Sequence, residues 1–231
     1  VTERLITSRR AGSVDGRRGN IDTIKGLISQ FFTPADVEKE IYGNPATTDI
    51  DVMIRRSEVE LANYELKQGV LQLSSARDVD DEVFDKVINT ICAIANAGPG
   101  RVGKIFIGVT DKDADAERVA KLDRIEPRKV GRRYVVGVRR EAQLLKISME
   151  EYLGKWRDKI AKSQLSSPLK EDVLAHIDFN EYYGLGVIII NVPAQTQAST
   201  VGDSMYWRNV DQTTLATSMK MAAEIGAKFA R

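Results

Sequence analysis

The scarcity of cysteine and histidine is the feature that most constrains how this chain can fold. Its 231 residues include one Cys and one His. Neither an internal disulfide nor a zinc site of Cys and His ligands can therefore hold the fold together. Stability must come from a hydrophobic core, and a chain of this length can build one. The hydrophobic fraction of 42% and the charged fraction of 29% are typical of a globular protein.

The same scarcity bears on compartment and metal chemistry. A chain without a disulfide suits a reducing compartment, so we expect a cytoplasmic protein. A metal ion held by this chain alone would need oxygen ligands, which favours Mg²⁺, Mn²⁺ or Ca²⁺ and excludes structural zinc. Cys92 lies in an apolar stretch and is predicted to be buried. His176 is predicted to be exposed or to cap a helix, although a role as a catalytic base stays open.

Charge is nearly balanced over the whole chain. The 34 Lys and Arg residues oppose 33 Asp and Glu residues, which excludes a polybasic protein but not local basic patches. The longest strongly apolar run, Val187–Val192, is far too short to span a membrane, so no membrane partner is expected. We also expect no signal peptide, because arginines interrupt the apolar start of the chain. The first residue is Val, which is compatible with a piece of a longer protein.

The order of helical and strand patterns predicts an α+β fold. Residues 1–50 are predicted to form a basic arm with short helices, and residues 57–231 to form the main domain, a mixed and mainly antiparallel sheet with packed helices. The predicted strands are 61–67 and 70–73, which form a hairpin, followed by 104–109, 133–138, 186–192 and 205–208. The predicted helices are 80–96, a short one near 117–122, one that opens at the capping box Ser148–Glu151, and a last one that begins at Asp211.

The first candidate site is Glu60-x4-Glu65-x-Lys67. Strand side chains alternate between the two faces, so Glu65 and Lys67 are predicted to share one. A carboxylate beside an ammonium can hold a metal ion while the lysine steadies a phosphate. Glu60 has the wrong parity for one regular strand and joins the site only if the chain bends near Asn63. The alternative is a charged strand face in solvent.

Asp111 is a further candidate, because it directly follows the predicted strand 104–109. Carboxylates at strand ends are common functional positions. The acidic residues Asp113 and Asp115 follow, so an acidic surface loop is the alternative.

The segment Gly98–Lys104 fits the pattern G-x4-G-K without its usual context. A phosphate-binding loop of this type follows a strand and opens a helix. Here a predicted helix precedes and a predicted strand follows, and Ile105 replaces the usual Ser or Thr. We therefore predict a flexible turn rather than a nucleotide site.

A basic cluster and a late aromatic segment point to phosphate binding. Six cationic residues without an acid between them create a local positive field, for which a phosphate backbone is the natural partner. A solvated loop paired with nearby acids is the alternative. In the segment 206–208, an aromatic ring beside Arg208 can stack on a base and hold a phosphate, or pack as an edge strand. The six are Arg128, Lys129, Arg132, Arg133, Arg139 and Arg140.

Taken in order, these segments resemble the Schlafen-type AlbA-like domain family over roughly residues 57–217. No single motif is specific to this family, but the whole set in this order is moderately specific. The matching segments are Glu60 with Glu65–Lys67, Ile91–Asn96, Ile105–Asp111, Val135–Val138, and Met205–Arg208 with Thr213 and Thr214.

The resemblance implies a divalent-metal-dependent endoribonuclease. In Schlafen-like ribonucleases two Glu and one Asp hold the metal and cut structured RNA such as tRNA, which implies Glu60, Glu65 and Asp111 as metal ligands with Mg²⁺ or Mn²⁺. Lys67 and Arg208 would then hold substrate phosphates, and RNA is favoured over DNA. Residues 114–132 look like an insertion, residues 1–50 have no matching segment, and the zinc site of the animal relatives cannot be formed here.

Other functions stay open at this point. The same surface could bind DNA or RNA without cutting it, as a regulatory module of a larger bacterial-type regulator or defence protein. A restriction-nuclease-type fold would keep only the E-x-K element and add Asp49 or Asp51. A homodimer and a fusion to further domains are both compatible with the sequence.

Overall fold

The computed structural model describes residues 45–59 and 61–230. The predicted arm over residues 1–50 lies almost wholly outside this part of the chain, and so does Glu60. From the N-terminal side, the elements are α1 (Pro45–Arg56), a 3-10 turn (Leu61–Asn63), β1 (Tyr64–Lys67), α2 (Glu82–Ala95), β2 (Gly103–Ile107), β3 (Val109–Thr110), α3 (Asp113–Asp123), β4 (Arg128–Val130) and β5 (Arg133–Val135). They continue with α4 (Arg139–Leu145), α5 (Met149–Ala161), α6 (Leu169–Leu174), β6 (Ile177–Asn180), β7 (Val187–Val192), β8 (Tyr206–Asn209), β9 (Gln212–Leu215) and α7 (Met219–Ala227).

The described strands form three sheets, of which the central one has the order β1-β2-β7-β6. In it β1 is parallel to β2, whereas the β2–β7 and β7–β6 pairs are antiparallel. A smaller sheet has the order β3-β5-β4, and β8 and β9 form a separate hairpin. Because the strands are mainly antiparallel and the helices pack against them, the predicted α+β class is confirmed.

Both faces of the central sheet are covered, which explains its apolar strands. Ile105 and Ile107 of β2 lie in one core cluster with α2 and Trp156, whereas Phe106 lies in the opposite cluster with Ile50 of α1. This alternation follows from the two-residue repeat of a strand. The strand β7 is equally buried on both sides, so it reads as a continuous apolar run.

Several expectations about helices are confirmed. Ser148 and Glu151 form the predicted capping box at the start of α5. The helix α2 ends before the glycine-rich segment and β2 begins at Gly103, so this segment is a helix-to-strand connection as predicted.

Cys92 is fully buried, and burial raises the pKa of its thiol to about 11, which makes it a core residue and not a nucleophile. No helix of the described part is long and apolar enough to cross a membrane.

The predicted hairpin of 61–67 with 70–73 is wrong. The strand β1 pairs with β2, and residues 70–73 contribute only an isolated bridge between Leu71 and Val79. The reason is a buried carboxylate: Glu141 accepts hydrogen bonds from the amides of Val70 (2.8 Å) and Leu71 (3.1 Å), which a partner strand would otherwise engage. Gly69 has a φ of +150°, and a Cβ there would lie 2.0 Å from the Glu141 carboxylate.

Two further boundaries differ from the prediction. The segment after Asp211 is the strand β9, and the last helix begins only at Met219, where the Ser218 hydroxyl accepts from the Met221 amide. Two successive β-branched threonines in β9 favour a strand, and a serine cap favours a later helix start. The predicted strand 133–138 ends at Val135, because Gly137 takes a φ of +70° and packs tightly against Leu185.

Trp156 packs in the core, as the helical pattern predicts, and its ring centroid lies 4.6 Å from that of Phe84. We expect Trp156→Ala to lower the free energy of unfolding by about 3–5 kcal/mol, because a large buried ring is lost. Urea denaturation measures the change. Lys155→Ala on the exposed side of the same helix is the control, with an expected change within about 0.5 kcal/mol. Equal stabilities of the two variants would contradict the core position.

Glu141 is fully buried and also accepts from the Tyr152 hydroxyl (2.5 Å). Burial and the adjacent Glu141 carboxylate raise the pKa of Tyr152, so this hydroxyl stays a donor. Arg140 Nη2 lies 3.1 Å from Glu141 Oε1. We expect Glu141→Gln to lower the free energy of unfolding by about 3–5 kcal/mol, because it breaks the buried ion pair with Arg140. Thermal and urea unfolding would show a far smaller loss for the exposed Glu150→Gln, and similar losses for both would contradict this account.

Candidate nucleic-acid interface

Glu65 lies on the edge strand β1 and holds a cation at each carboxylate oxygen. Lys67 Nζ donates to Glu65 Oε1 at 2.6 Å, as expected for two side chains on the same strand face. Arg208 Nη1 donates to Glu65 Oε2 at 2.9 Å from the hairpin β8–β9. The carboxylate is therefore neutralised on both sides and fixed in orientation.

Arg208 is 8% exposed and connects the hairpin to the start of β1. Besides Glu65, it donates to the Thr213 hydroxyl (3.0 Å) and to the carbonyls of Leu61 (3.2 Å) and Tyr64 (3.0 Å). These bonds engage both Nη groups inside the protein. Arg208 was predicted as a phosphate contact, but in this arrangement it positions Glu65 and leaves few donors for a ligand.

Glu65 and Asp111 line the same small cavity of about 90 Å³, the carboxylate cavity. Asp111 directly follows β3 and is half exposed, and its Oδ2 lies 3.9 Å from Arg133 Nη1. The cavity also includes Arg208 and a third carboxylate, Asp211, which was predicted only as the start of a helix. Two carboxylates 46 positions apart in the sequence thus line one cavity.

Two of the three predicted metal ligands, Glu65 and Asp111, belong to the described residues. Within residues 45–59 and 61–230, no group of three or more His, Cys, Asp or Glu side chains is arranged to hold a metal ion. The predicted set contains Glu60, which lies outside the described residues. Carboxylate oxygens are suitable ligands for Mg²⁺ or Mn²⁺, so Glu65 and Asp111 fit the chemistry of such a site. An ion at Glu65 would share the carboxylate with Lys67 and Arg208 or replace one of them.

The predicted basic cluster separates into buried and exposed residues. Arg140 is 4% exposed and pairs with Asp123 (2.5 Å) and Glu141, so it belongs to the core and is unavailable to a phosphate. Arg139 pairs with Glu181 near the start of α4. The physical reason is the helix α4, which turns two successive arginines in different directions.

The remaining cations lie on the β4–β5 hairpin. Arg128, Lys129 and Arg132 are exposed and form no ion pair with a described acidic side chain. The Arg128 guanidinium lies 3.5 Å from the centroid of the Tyr183 ring, which is itself 52% exposed. An exposed ring with a cation above it is suited to stacking with bases. In the sequence, Tyr183 is marked only as the second of two successive tyrosines before a glycine.

This arrangement defines an α+β domain with a cavity of carboxylates and arginines beside an exposed cationic hairpin. The family model described as "Schlafen, AlbA_2" matches residues 60–217, and the chain belongs to this family. The family assigns it to nucleic-acid-binding domains.

The other comparisons add little to this family assignment. No curated protein matches the chain. Among solved structures, the chain is similar to the DIP2311 protein from Corynebacterium diphtheriae, with 15% identity and a TM-score of 0.44 over 76% of this chain and 32% of that one. The chain thus spans about a third of the length of that protein.

The exposed cations of the hairpin generate a salt-dependent prediction. We expect Lys129→Glu with Arg132→Glu to weaken binding of a single-stranded oligonucleotide at least tenfold without unfolding. For the unchanged protein, the affinity should fall with salt at a log–log slope of about −0.7 per phosphate contact. Fluorescence anisotropy measures both. Lys155→Glu with Lys220→Glu is the control of equal net charge, and equal weakening by this control would contradict a localised interface.

Proposed function

We propose that the chain is a divalent-metal-dependent endoribonuclease that acts on structured RNA such as tRNA, with the cavity around Glu65 as its active site. The observation that supports this most is that Glu65 and Asp111 line one cavity with Arg133. Carboxylates attract a metal ion, and guanidinium groups attract the phosphate that the ion accompanies. The enzymatic activity, the metal and the substrate are all part of the proposal.

The residues that would hold Mg²⁺ or Mn²⁺ are Glu60, Glu65 and Asp111. The ion would supply an activated water molecule and stabilise negative charge on the phosphate. Lys67 is the cation that can leave Glu65, because its side chain is 25% exposed and flexible, whereas Arg208 is fixed by several hydrogen bonds. Once released, the Lys67 ammonium can neutralise a substrate phosphate beside the carboxylates.

In this proposal the RNA lies along the β4–β5 hairpin, whose cations extend from the protein surface to the cavity. Arg133 belongs to β5 and lines the cavity, while Lys129 and Arg132 of the same hairpin are exposed. Phosphates held by these cations would lead the strand towards Glu65. Arg139 remains a candidate contact at the edge of this surface, since its pair with Glu181 is exposed and such pairs are weak.

A second candidate function is binding of DNA or RNA without cleavage, as a module of a larger regulator or defence protein. It is favoured by one observation: each oxygen of Glu65 already holds a cation. In this case Glu65 fixes Lys67 and Arg208 in place, and the phosphates are held by Lys67 and by the exposed cations of the β4–β5 hairpin.

Conservative substitutions of the carboxylates separate the two functions. We expect Glu65→Gln and Asp111→Asn to abolish Mn²⁺-dependent cleavage of tRNA while RNA binding persists, because the shape is kept and the ligand charge is lost. Glu60→Gln should do the same. Gel analysis of RNA fragments, with and without a chelator, measures cleavage, and anisotropy measures binding. Asp113→Asn on the exposed first turn of α3 is the matched control and should cleave like the unchanged protein.

Two outcomes would contradict the nuclease. Cleavage that survives the chelator and all three substitutions would exclude these ligands. Metal-dependent cleavage that is absent for every RNA tested, while salt-sensitive binding persists, would favour the non-catalytic module. Urea unfolding of each variant separates lost chemistry from lost structure, since Glu65 also pairs with the buried Arg208.

A further inference from the structure

A second cavity of about 430 Å³ lies beside the carboxylate cavity and shares Glu65 and Asp211 with it. It is formed where α2, β1 and the β8–β9 hairpin meet. Its volume is within the range of sites for small organic groups. Its lining combines an aromatic ring, two lysines, two side-chain amides and two threonine hydroxyls, contributed by Tyr206, Lys67, Lys86, Asn89, Gln212, Thr90 and Thr213.

The floor of this cavity consists of Thr90 and Thr213, whose hydroxyl groups form hydrogen bonds with an assignable direction. Thr90 Oγ1 donates to the Lys86 carbonyl at 2.8 Å, which uses its only hydroxyl proton. The Thr213 hydroxyl must therefore donate to Thr90 Oγ1, at 2.8 Å, and accept from Arg208 Nη1, at 3.0 Å. Because Arg208 also holds Glu65, the floor is tied to the carboxylate cavity and is organised before any ligand arrives.

The side chains of Asn89 and Gln212 also line this cavity. The side-chain amides of Asn89 and Gln212 form no hydrogen bond with another described residue, whereas the two threonines below them are engaged. An amide offers one donor and one acceptor side by side, which is the pattern that complements the edge of a nucleobase. The Tyr206 ring offers an apolar surface of the kind on which bases stack.

The cations are placed for the charged part of the same ligand. Lys67 lines both this cavity and the side of Glu65, and Lys86 is exposed with only a helical i,i+4 pair to Glu82 at 3.0 Å. Exposed pairs of this kind are weak, so Lys86 can turn to a phosphate.

We propose that this cavity receives one nucleoside of the bound strand and makes the interface selective for its base. The base stacks on Tyr206, its edge meets Asn89 and Gln212, and the adjoining phosphate lies between Lys67 and the carboxylate cavity. The inference rests on the proposed nucleic-acid site at Glu65 but does not require cleavage. It adds selectivity for a base, which phosphate contacts alone cannot provide.

The test compares oligonucleotides of a single base, A, C or U (T in DNA), in chelator so that cleavage cannot contribute. We expect the unchanged chain to bind the oligonucleotide of its preferred base about tenfold more tightly than the one that it binds most weakly, as a good amide–base contact allows. Asn89→Ala with Gln212→Ala should bring the three affinities within about twofold of one another while the salt slope stays the same, since phosphate contacts are untouched. Gln143→Ala, an exposed amide on α4, is the control and should keep the preference.

A variant of the ring tests the stacking contact separately. Tyr206→Phe should keep the affinity, and Tyr206→Leu should weaken binding of every base about fivefold or more, since stacking is tolerant of sequence. Urea unfolding checks that the packing of Tyr206 against the core survives.

The outcomes distinguish this inference from the proposed nuclease. Equal binding of all bases by the unchanged chain, or a preference that survives in the double amide variant, would overturn the nucleoside cavity. Absence of binding to any RNA or DNA would overturn the interface itself. Loss of the preference in the double variant of a protein that never cleaves RNA would support the cavity and reject the nuclease.

Discussion

The ion pair between the buried Arg208 and the partly exposed Glu65 is the interaction on which the candidate site depends. It joins the β8–β9 hairpin to an edge strand more than 140 residues earlier in the chain. The same guanidinium caps the carbonyls of Leu61 and Tyr64, so one side chain fixes the entry into β1 and the orientation of its carboxylate. A buried arginine is costly unless its donors are engaged, and here a carboxylate, a hydroxyl and two carbonyls engage its two Nη groups. Any ligand in the cavity therefore meets a preorganised surface.

A second buried ionic group has a structural role that its sequence conceals. Asp123 lies 2.5 Å from both Arg77 and Arg140, and Arg140 continues to Glu141. Glu141 in turn holds the backbone after β1, where the chain leaves the edge of the sheet without a partner strand. Charged residues that look like part of a surface patch thus replace a strand partner in the interior. This explains why the chain can bend sharply after Lys67 and continue to α2.

Local patterns were sufficient for the parts of the fold that depend on neighbouring residues. The helices α2 and α5, the buried strand β7 and the position of Asp111 follow from apolar periodicity, a capping box and a strand end. The pairing of β1 with β2 could not be predicted from local patterns, because it joins residues 40 positions apart, such as Tyr64 and Lys104. The burial of Arg140 was equally hidden, since a run of cations contains no information about which of them find acids in the folded chain. Asp211 was visible as an acid, but its place beside Glu65 depends on the hairpin that the pattern assigned to a helix.

The double pairing of Glu65 also bears on how a binding surface and a catalytic site can share one fold. With Lys67 and Arg208 both in place, the negative charge of the Glu65 carboxylate is compensated, which weakens its attraction for a metal ion. If a phosphate draws Lys67 away, Glu65 regains negative charge on one oxygen while Arg208 keeps its orientation, and the cavity then favours a cation next to that phosphate. Substrate and metal would assist each other's binding through one mobile lysine. A chain that lacks a third ligand at this cavity would keep the first step and lose the second, so a change at Glu60 alone could convert a nuclease of this kind into a binding module without altering the surface that holds the nucleic acid.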